Sequence, residues 1–273
     1  MAEQTSLSEG IDRLQERLPK PVGSFIGRLR GEDVMLPASG LAFYALVSIA
    51  PLLIVSVWVV GLLAGESRVQ QLSQQIKEAA PQGMGLGSLV QQVASEGTSL
   101  GAGAVAAALW PATAYGSALA RGFERLDGGS REELRGLRGR GLAILVILPM
   151  FVLGILGAAF FGTTLLKDGI TATILGPVLA LVFGFAAAFL GSAVIYWLFP
   201  LDRLPWRRLA RAAALAATLI AVLSVLFVLY LNLGANFEES YASSTIAGMV
   251  LLGVWLFLSN AVLLAVHAGG TER

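Results

Sequence analysis

The sequence lacks cysteine altogether and contains a single histidine, His267, in 273 residues. The absence of cysteine excludes disulfide bonds, thiolate metal sites and a cysteine nucleophile. One histidine excludes any site that is built from several imidazoles. The sequence therefore excludes thiol redox chemistry and metal sites with several histidine ligands.

Charge is also scarce. Aspartate, glutamate, lysine and arginine make up 14% of the residues, 56% are hydrophobic, and the mean hydropathy is +0.74. Soluble domains carry about 25% charged residues. No charged residue occurs from Val34 to Gly65, whereas about 20 apolar residues suffice for a helix to cross a bilayer. In lipid a helix is the form in which an open chain satisfies its own backbone groups, so the sequence predicts an integral membrane protein.

Six such charge-free runs occur, and each is long enough for one crossing. They predict an all-α, polytopic membrane protein with six transmembrane helices, at about 36–64, 100–121, 141–166, 172–199, 209–233 and 244–267. Residues 34–268 would form one transmembrane domain, followed by a short tail at 269–273. Apolar residues at helical spacing in the N-terminal segment 1–33 and in the exterior loop 66–98 predict short amphipathic helices at the membrane surface. The alternatives are a partly ordered tail and a simple connection.

The basic residues are distributed unevenly between the two sides of this topology. Sixteen of the nineteen lysines and arginines fall on the side of the termini, and three fall on the other side. Because cytoplasmic loops carry the excess of positive charge, both termini and the tail are predicted to be cytoplasmic. Arginines on this side are expected to contact anionic lipid headgroups; they are Arg135, Arg138, Arg140, Arg207, Arg208 and Arg211.

The predicted spans contain no ionisable residue near their centres, which argues against a proton path through an embedded carboxylate. Prolines near the middles of spans one and two free backbone carbonyls, and broken helices near the midplane are typical of transporter sites. The residues predicted to line a cavity are Tyr44, Ser48, Pro51, Trp110, Pro111, Thr113, Tyr115 and Tyr196. The alternative is structural, since membrane serines and threonines commonly bond their own helix. His267 is expected to be an interfacial residue rather than a ligand.

Small residues recur at four-residue spacing on the fourth span. Ala180, Gly184, Ala188 and Ser192 form one continuous stripe. Because lipid offers no hydrophobic drive for helix association, small residues allow the close approach that holds membrane helices together. The stripe is predicted to be a helix-packing face, either within one chain or between the copies of a homo-oligomer.

Four stretches together resemble the YihY/BrkB family of prokaryotic six-helix membrane proteins. They are GLAFYALVSIAPLLI (40–54), LWPATAYGSALARGFERLDG (109–128), YWLFPLDRLPWRRLARAAALAA (196–217) and GVWLFLSNAVLLAV (253–266). The resemblance implies six helices in the cytoplasmic (inner) membrane, with both termini inside. Members have been labelled virulence factor BrkB or ribonuclease BN-like, and no settled activity comes with the family. The family's last helix usually runs into a Gly-Ala-Glu-like ending, whereas this chain reads AVHAGGTER.

Three functional hypotheses apply to a chain with these features. The first is a transporter or a lipid or polymer translocase, with a cavity near spans one and two. The alternative is a non-catalytic membrane scaffold or envelope assembly factor. A ribonuclease is rejected because metal-dependent cleavage needs clustered carboxylates or histidines. We therefore predict no enzymatic activity, no cofactor, no metal and no nucleic-acid partner; the substrate, if there is one, does not follow from the sequence.

Overall fold

A computed structural model describes residues 32–65, 67, 69–71, 73–74, 102–129, 170–200, 202, 204–232 and 244–271. This part of the chain is helical apart from short turns and contains no strand. Its helices are α1 (Glu32–Ala64), α2 (Ala102–Ala112), α3 (Ala114–Asp127), α4 (Ile170–Leu198), α5 (Trp206–Asn232) and α6 (Ser244–Thr271). The all-α prediction is confirmed for these residues.

In the described part of the chain, four helices are long and apolar enough to cross a membrane. The apolar stretches are Val34–Leu63 in α1, Leu181–Leu198 in α4, Trp206–Tyr230 in α5 and Gly248–Gly269 in α6. They correspond to the predicted spans one, four, five and six, as expected for a multi-pass membrane protein. The predicted third span, the N-terminal segment up to residue 31 and most of the exterior loop lie outside the described residues, so six spans and interfacial helices stay predictions.

The second predicted span differs from the single helix expected over 100–121. It consists of α2 and α3, which are separated at Thr113, and α3 continues to Asp127. The prediction used charge as its boundary, but α3 is amphipathic and buries Leu119 and Phe123 on one face. Gly128 ends α3 with φ +68°, and its N–H donates to the Glu124 carbonyl, which is the left-handed cap that favours glycine.

The helices pack around α1, which contacts α2, α3 and α6. In turn α6 packs against α5, and α5 packs against α4. The end of α4 returns to α3, because the Tyr196 and Phe199 rings both lie against the Phe123 ring. The described helices therefore enclose a common core where α3, α4 and α6 meet.

This core lies at one end of the bundle. Phe123 is fully buried at its centre, with ring centroids 6.3 Å from Tyr196 and 6.4 Å from Phe199. Its other large members come from the first third of α1, the start of α5, the middle of α3 and the last third of α6; they include Val34, Leu41, Leu119, Leu209 and Leu264. The same end carries the exposed tryptophans Trp197 and Trp206, a side-chain type that is enriched at membrane–water interfaces.

Candidate functional site

A serine of α1 completes the broken helix formed by α2 and α3. The Ser48 Oγ donates a hydrogen bond to the Pro111 carbonyl at 2.9 Å and accepts one from the Tyr115 N–H at 3.3 Å. In an uninterrupted helix these two backbone groups would bond each other, since residues i and i−4 pair. Ser48 is 0% exposed, so its hydroxyl replaces one rung of the helix inside the bundle.

Two neighbouring residues explain why the helix breaks here. Pro111 has no N–H and cannot bond the carbonyl four residues earlier. Thr113 follows with φ −87° and ψ −6°, and its N–H is shared between the Leu109 and Trp110 carbonyls at 3.2 and 3.3 Å. The Thr113 Oγ1 also donates to the Trp110 carbonyl at 2.8 Å. Proline and a side chain inserted into the backbone ladder are both recognised causes of a helix kink.

The break is also tied to the last helix. The Tyr115 hydroxyl donates to Asn260 Oδ1 at 2.8 Å, and the Asn260 amide donates to the Leu256 carbonyl within α6 at 2.8 Å. Ser48, Tyr115 and Asn260 thus form one hydrogen-bonded polar network that joins α1, α3 and α6, and Thr113 lies beside it and bonds the Trp110 carbonyl. Asn260 is the member that the predicted cavity-lining set does not include.

The remaining predicted cavity residues lie apart from this network. Tyr196 is 1% exposed and donates to the Leu263 carbonyl at 2.8 Å, in the core at the end of the bundle. Trp110 exposes 63% of its surface, and Pro51 is half-buried. Tyr44 lies in a surface groove between α1 and α3. The structure therefore brings together Ser48 and the residues around Pro111, and their role as the lining of a cavity stays a prediction.

A second polar contact lies at the core. The His267 Nε2 is 2.7 Å from Asp127 Oδ1, which links α6 to the end of α3. The His267 ring packs edge-on against Phe123 at 4.8 Å and stacks on Tyr196 at 6.1 Å. His267 is 3% exposed, so its ring is buried within the bundle, and its position at the depth of the membrane interface stays a prediction. Aromatic contacts around a carboxylate–imidazole pair fix the orientation of the ring.

The groove between α1 and α3 has a volume of about 190 Å³. Its walls are apolar, and two arginines one turn apart, Arg121 and Arg125, lie along it. The Arg121 guanidinium carbon sits 5.6 Å from the centre of the Tyr44 ring, which is the distance of a cation–π contact. Both arginines are exposed.

The predicted packing stripe and the predicted headgroup-contacting arginines lie on α4 and α5 as far as the structure describes them. Within the predicted packing stripe, Ser192 is 2% exposed, but a Cβ added at Gly184 would have no atom of the described structure within 4 Å. Ala188 is half-buried, and Ala180 lies on α4. Arg207, Arg208 and Arg211 are exposed on the first turns of α5. Arg135, Arg138 and Arg140 lie outside the described residues.

The sequence profile of the family described as virulence factor BrkB matches residues 25–268. This chain belongs to the BrkB family. No curated protein and no solved structure matches it significantly.

Membership of the BrkB family agrees with the motifs that suggested it and with the apolar helices of the bundle. The BrkB family is not an established enzyme family. Among the described residues, no group of three histidine, aspartate or glutamate side chains could hold a metal ion. What this BrkB family member offers chemically is therefore hydrogen bonding at the helix break, an aromatic core with a His–Asp pair, and a basic groove.

Proposed function

We propose that this BrkB family member is a transporter that moves a lipid or another amphiphile across the membrane, by a path that adjoins the break between α2 and α3. The observation that carries the proposal is the Ser48 hydroxyl, which bonds both sides of the break. Non-helical backbone at membrane depth is tolerated where it is buried in protein or lines a cavity. Discontinuous helices of this kind form the substrate sites of many transporters.

The chemistry of the network favours an amphiphile over a small ion. Its side chains are a serine, a tyrosine and an asparagine, with Thr113 beside them, and all four are uncharged hydrogen-bonding groups. Ion and proton carriers commonly place ionisable groups at such positions. A lipid headgroup that passes the break would find donors and acceptors there, while its acyl chains stay in the bilayer.

We further propose that the core end of the bundle faces the cytoplasm, in the inner membrane of a prokaryote. The exposed Arg207 and Arg211 and the exposed Trp206 all lie at the start of α5. Arginines suit the anionic cytoplasmic leaflet, and tryptophan suits the headgroup level. In this orientation both termini are cytoplasmic.

The test is lipid transfer in proteoliposomes. The purified full chain is reconstituted with a fluorescent phospholipid, and dithionite quenching measures the fraction that changes leaflet. We expect faster transfer than in protein-free liposomes and at least a fivefold loss for Pro111→Ala, because the new N–H favours a continuous helix. Proline inside a helix costs about 3 kcal/mol or more, so this variant should remain folded.

Pro51→Ala is the matched control, since α1 continues unbroken through Pro51. This variant should transfer lipid within twofold of the wild type. The proposal is wrong if liposomes that contain the wild-type protein transfer neutral, zwitterionic and anionic lipids no faster than protein-free liposomes do. It is also wrong if Pro111→Ala transfers as fast as Pro51→Ala.

A membrane scaffold is the second candidate, and the outer face of α4 favours it. Leu181 and Phe185 are exposed there beside Gly184, a position at which an added Cβ meets no atom of the described structure. A face of small and apolar residues suits contact with a second copy. A shift of the detergent-solubilised protein from dimer to monomer on Gly184→Trp, but not on Gly253→Trp, would support this candidate, and a monomeric wild type would exclude self-association.

A further inference from the structure

The groove between α1 and α3 has features that the transport proposal does not use. It runs along α1 from Leu36 to Tyr44, which is about 12 Å at 1.5 Å per residue. This length suits the phosphate and glycerol of a phospholipid. We propose that this groove is a binding site for one anionic phospholipid, with the lipid phosphate between Arg121 and Arg125 and the start of an acyl chain against the apolar wall.

Charge complementarity identifies the occupant. Arg121 and Arg125 lie at i and i+4 of α3, so both guanidinium groups project from the same face. Among the described residues, none of those that line the groove is a carboxylate. Guanidinium groups bind phosphate through paired, charge-assisted hydrogen bonds. Two of them in one groove favour a headgroup with net negative charge over a zwitterionic one, whose own cation would be repelled.

Of the two arginines on α3, Arg121 is held in place before any ligand binds. The Arg121 guanidinium rests 5.6 Å from the centre of the Tyr44 ring. This contact restricts a side chain that would otherwise lose considerable rotamer freedom on binding. A cation fixed over an aromatic ring keeps its N–H groups available at its edge, so Arg121 can bind phosphate without leaving Tyr44.

Two glycines keep the groove open. Gly40 of α1 and Gly122 of α3 both line it. A Cβ at Gly122 would meet the Leu41 side chain at 3.6 Å, which is ordinary contact, and a Cβ at Gly40 would have nothing within 4 Å. A larger side chain at Gly40 would therefore enter the space of the proposed lipid without striking the described protein.

The location of the groove also fits a lipid. Both arginines lie within the last seven residues of α3, at the end of the bundle that carries Trp197 and Trp206. Tryptophans mark the headgroup level, so a molecule in the groove would sit at the depth of a leaflet's phosphates. The fate of the bound lipid depends on the transport proposal. Lipid binding at this site does not depend on it, because binding requires no movement of the helices.

The experiment measures binding without transport. The delipidated full chain in a neutral detergent is titrated with dioctanoyl phosphatidylglycerol or dioctanoyl phosphatidylcholine, and native mass spectrometry counts the bound lipids. We expect phosphatidylglycerol to bind at least tenfold more tightly. The double variant R121Q/R125Q should lose at least tenfold in this affinity. G40L should lose as much while keeping both charges, and glycine-to-leucine in a helix does not cost helix propensity.

The matched control is R207Q/R211Q, which removes two exposed arginines at the same i, i+4 spacing on α5. The headgroup contacts expected of these two arginines lie on the surface of α5 and outside the groove, so in detergent this variant should bind the first phosphatidylglycerol within twofold of the wild type. The proposal is overturned if the two double variants lose affinity equally, if phosphatidylcholine binds as well as phosphatidylglycerol, or if G40L has no effect. It is also overturned if millimolar inorganic phosphate displaces the lipid completely, because the groove would then be a simple anion site. Binding without transfer in proteoliposomes would leave this site intact and remove only the transport proposal.

Discussion

Replacing Ser48 by alanine tests the helix break directly. The substitution removes one oxygen atom from a position that is 0% exposed and leaves the rest of the side chain in place. The Pro111 carbonyl and the Tyr115 N–H both lose a partner. Within a bilayer no bulk water can replace that partner, so the change should lower the free energy of unfolding.

The size of the loss follows from the two bonds. A buried backbone group left without a partner costs about 1–3 kcal/mol in soluble proteins, whereas side-chain hydrogen bonds between membrane helices average about 0.6 kcal/mol. The 2.9 Å bond to the Pro111 carbonyl has ordinary geometry, and the 3.3 Å bond from the Tyr115 N–H is longer than most. The carbonyl should therefore account for most of a loss of about 1–3 kcal/mol.

Reversible unfolding in mixed micelles of increasing SDS content, followed by circular dichroism, measures this loss. Ser39→Ala on the same helix is the control. The exposed Ser39 Oγ donates to the Leu36 carbonyl within α1, and its removal should change the free energy by no more than about 0.5 kcal/mol. If Ser48→Ala and Ser39→Ala unfold with the same free energy, the hydroxyl does not support the break and this interpretation of the site is refuted.

Three further predictions concern the core and the orientation. Asp127→Ala removes the partner of the His267 Nε2 and should cost about 1–3 kcal/mol in the same unfolding assay. Phe123→Ala empties the centre of the core and should cost about 3–5 kcal/mol. Because the chain has no cysteine, Ser67→Cys and Gly129→Cys create single labelling sites, and a membrane-impermeant maleimide should label only the former in intact cells.

Each of these predictions has a matched control. The exposed Asp202 and the 37% exposed Phe185 can be replaced by alanine with an expected loss below about 1 kcal/mol. Losses as large as those of the buried variants would contradict the described packing. Both cysteines should react once the cells are permeabilised. Reaction of the Gly129→Cys protein in intact cells would reverse the proposed orientation.

The long apolar helices could be predicted from the sequence because lipid leaves the backbone few alternatives. A charge-free run of this length must satisfy its N–H and C=O groups internally, and α1, α4, α5 and α6 follow the runs closely. The same rule does not predict where an amphipathic helical segment that lies beyond the bilayer core will end. The end of α3 at Asp127 therefore lay beyond the boundary that Arg121 suggested.

The polar residues at the break could be predicted individually from the sequence, but the hydrogen bonds that connect them could not. Local bonding is the usual outcome for a membrane serine or threonine, and Thr218 and Ser224 each donate to the carbonyl four residues earlier. Ser48 instead bonds a residue 63 positions away. Sequence periodicity shows which face of a helix a side chain occupies, but not which neighbouring helix lies against that face.

The His267–Asp127 pair illustrates a signal that was present in the sequence. The two residues are 140 positions apart, and the predicted topology puts both at the cytoplasmic ends of their helices. The end of the last span reads AVHAGGTER, and its only titratable side chain inside the span is the histidine. A buried imidazole calls for a polar partner, and Asp127 was one of the few carboxylates at the same depth.

The hydrogen bonds divide the second span into a fixed half and a freer half. Tyr115 and Asp127 attach both ends of α3 to α6 through Asn260 and His267, and Ser48 attaches its beginning to α1. Movement of α3 alone would break all three contacts. In contrast, α2 packs chiefly against α1, so fewer helices restrain α2 than restrain α3. If the chain moves lipid, the groove on α3 keeps its shape while α2 pivots at Thr113, so binding and transfer can be lost separately.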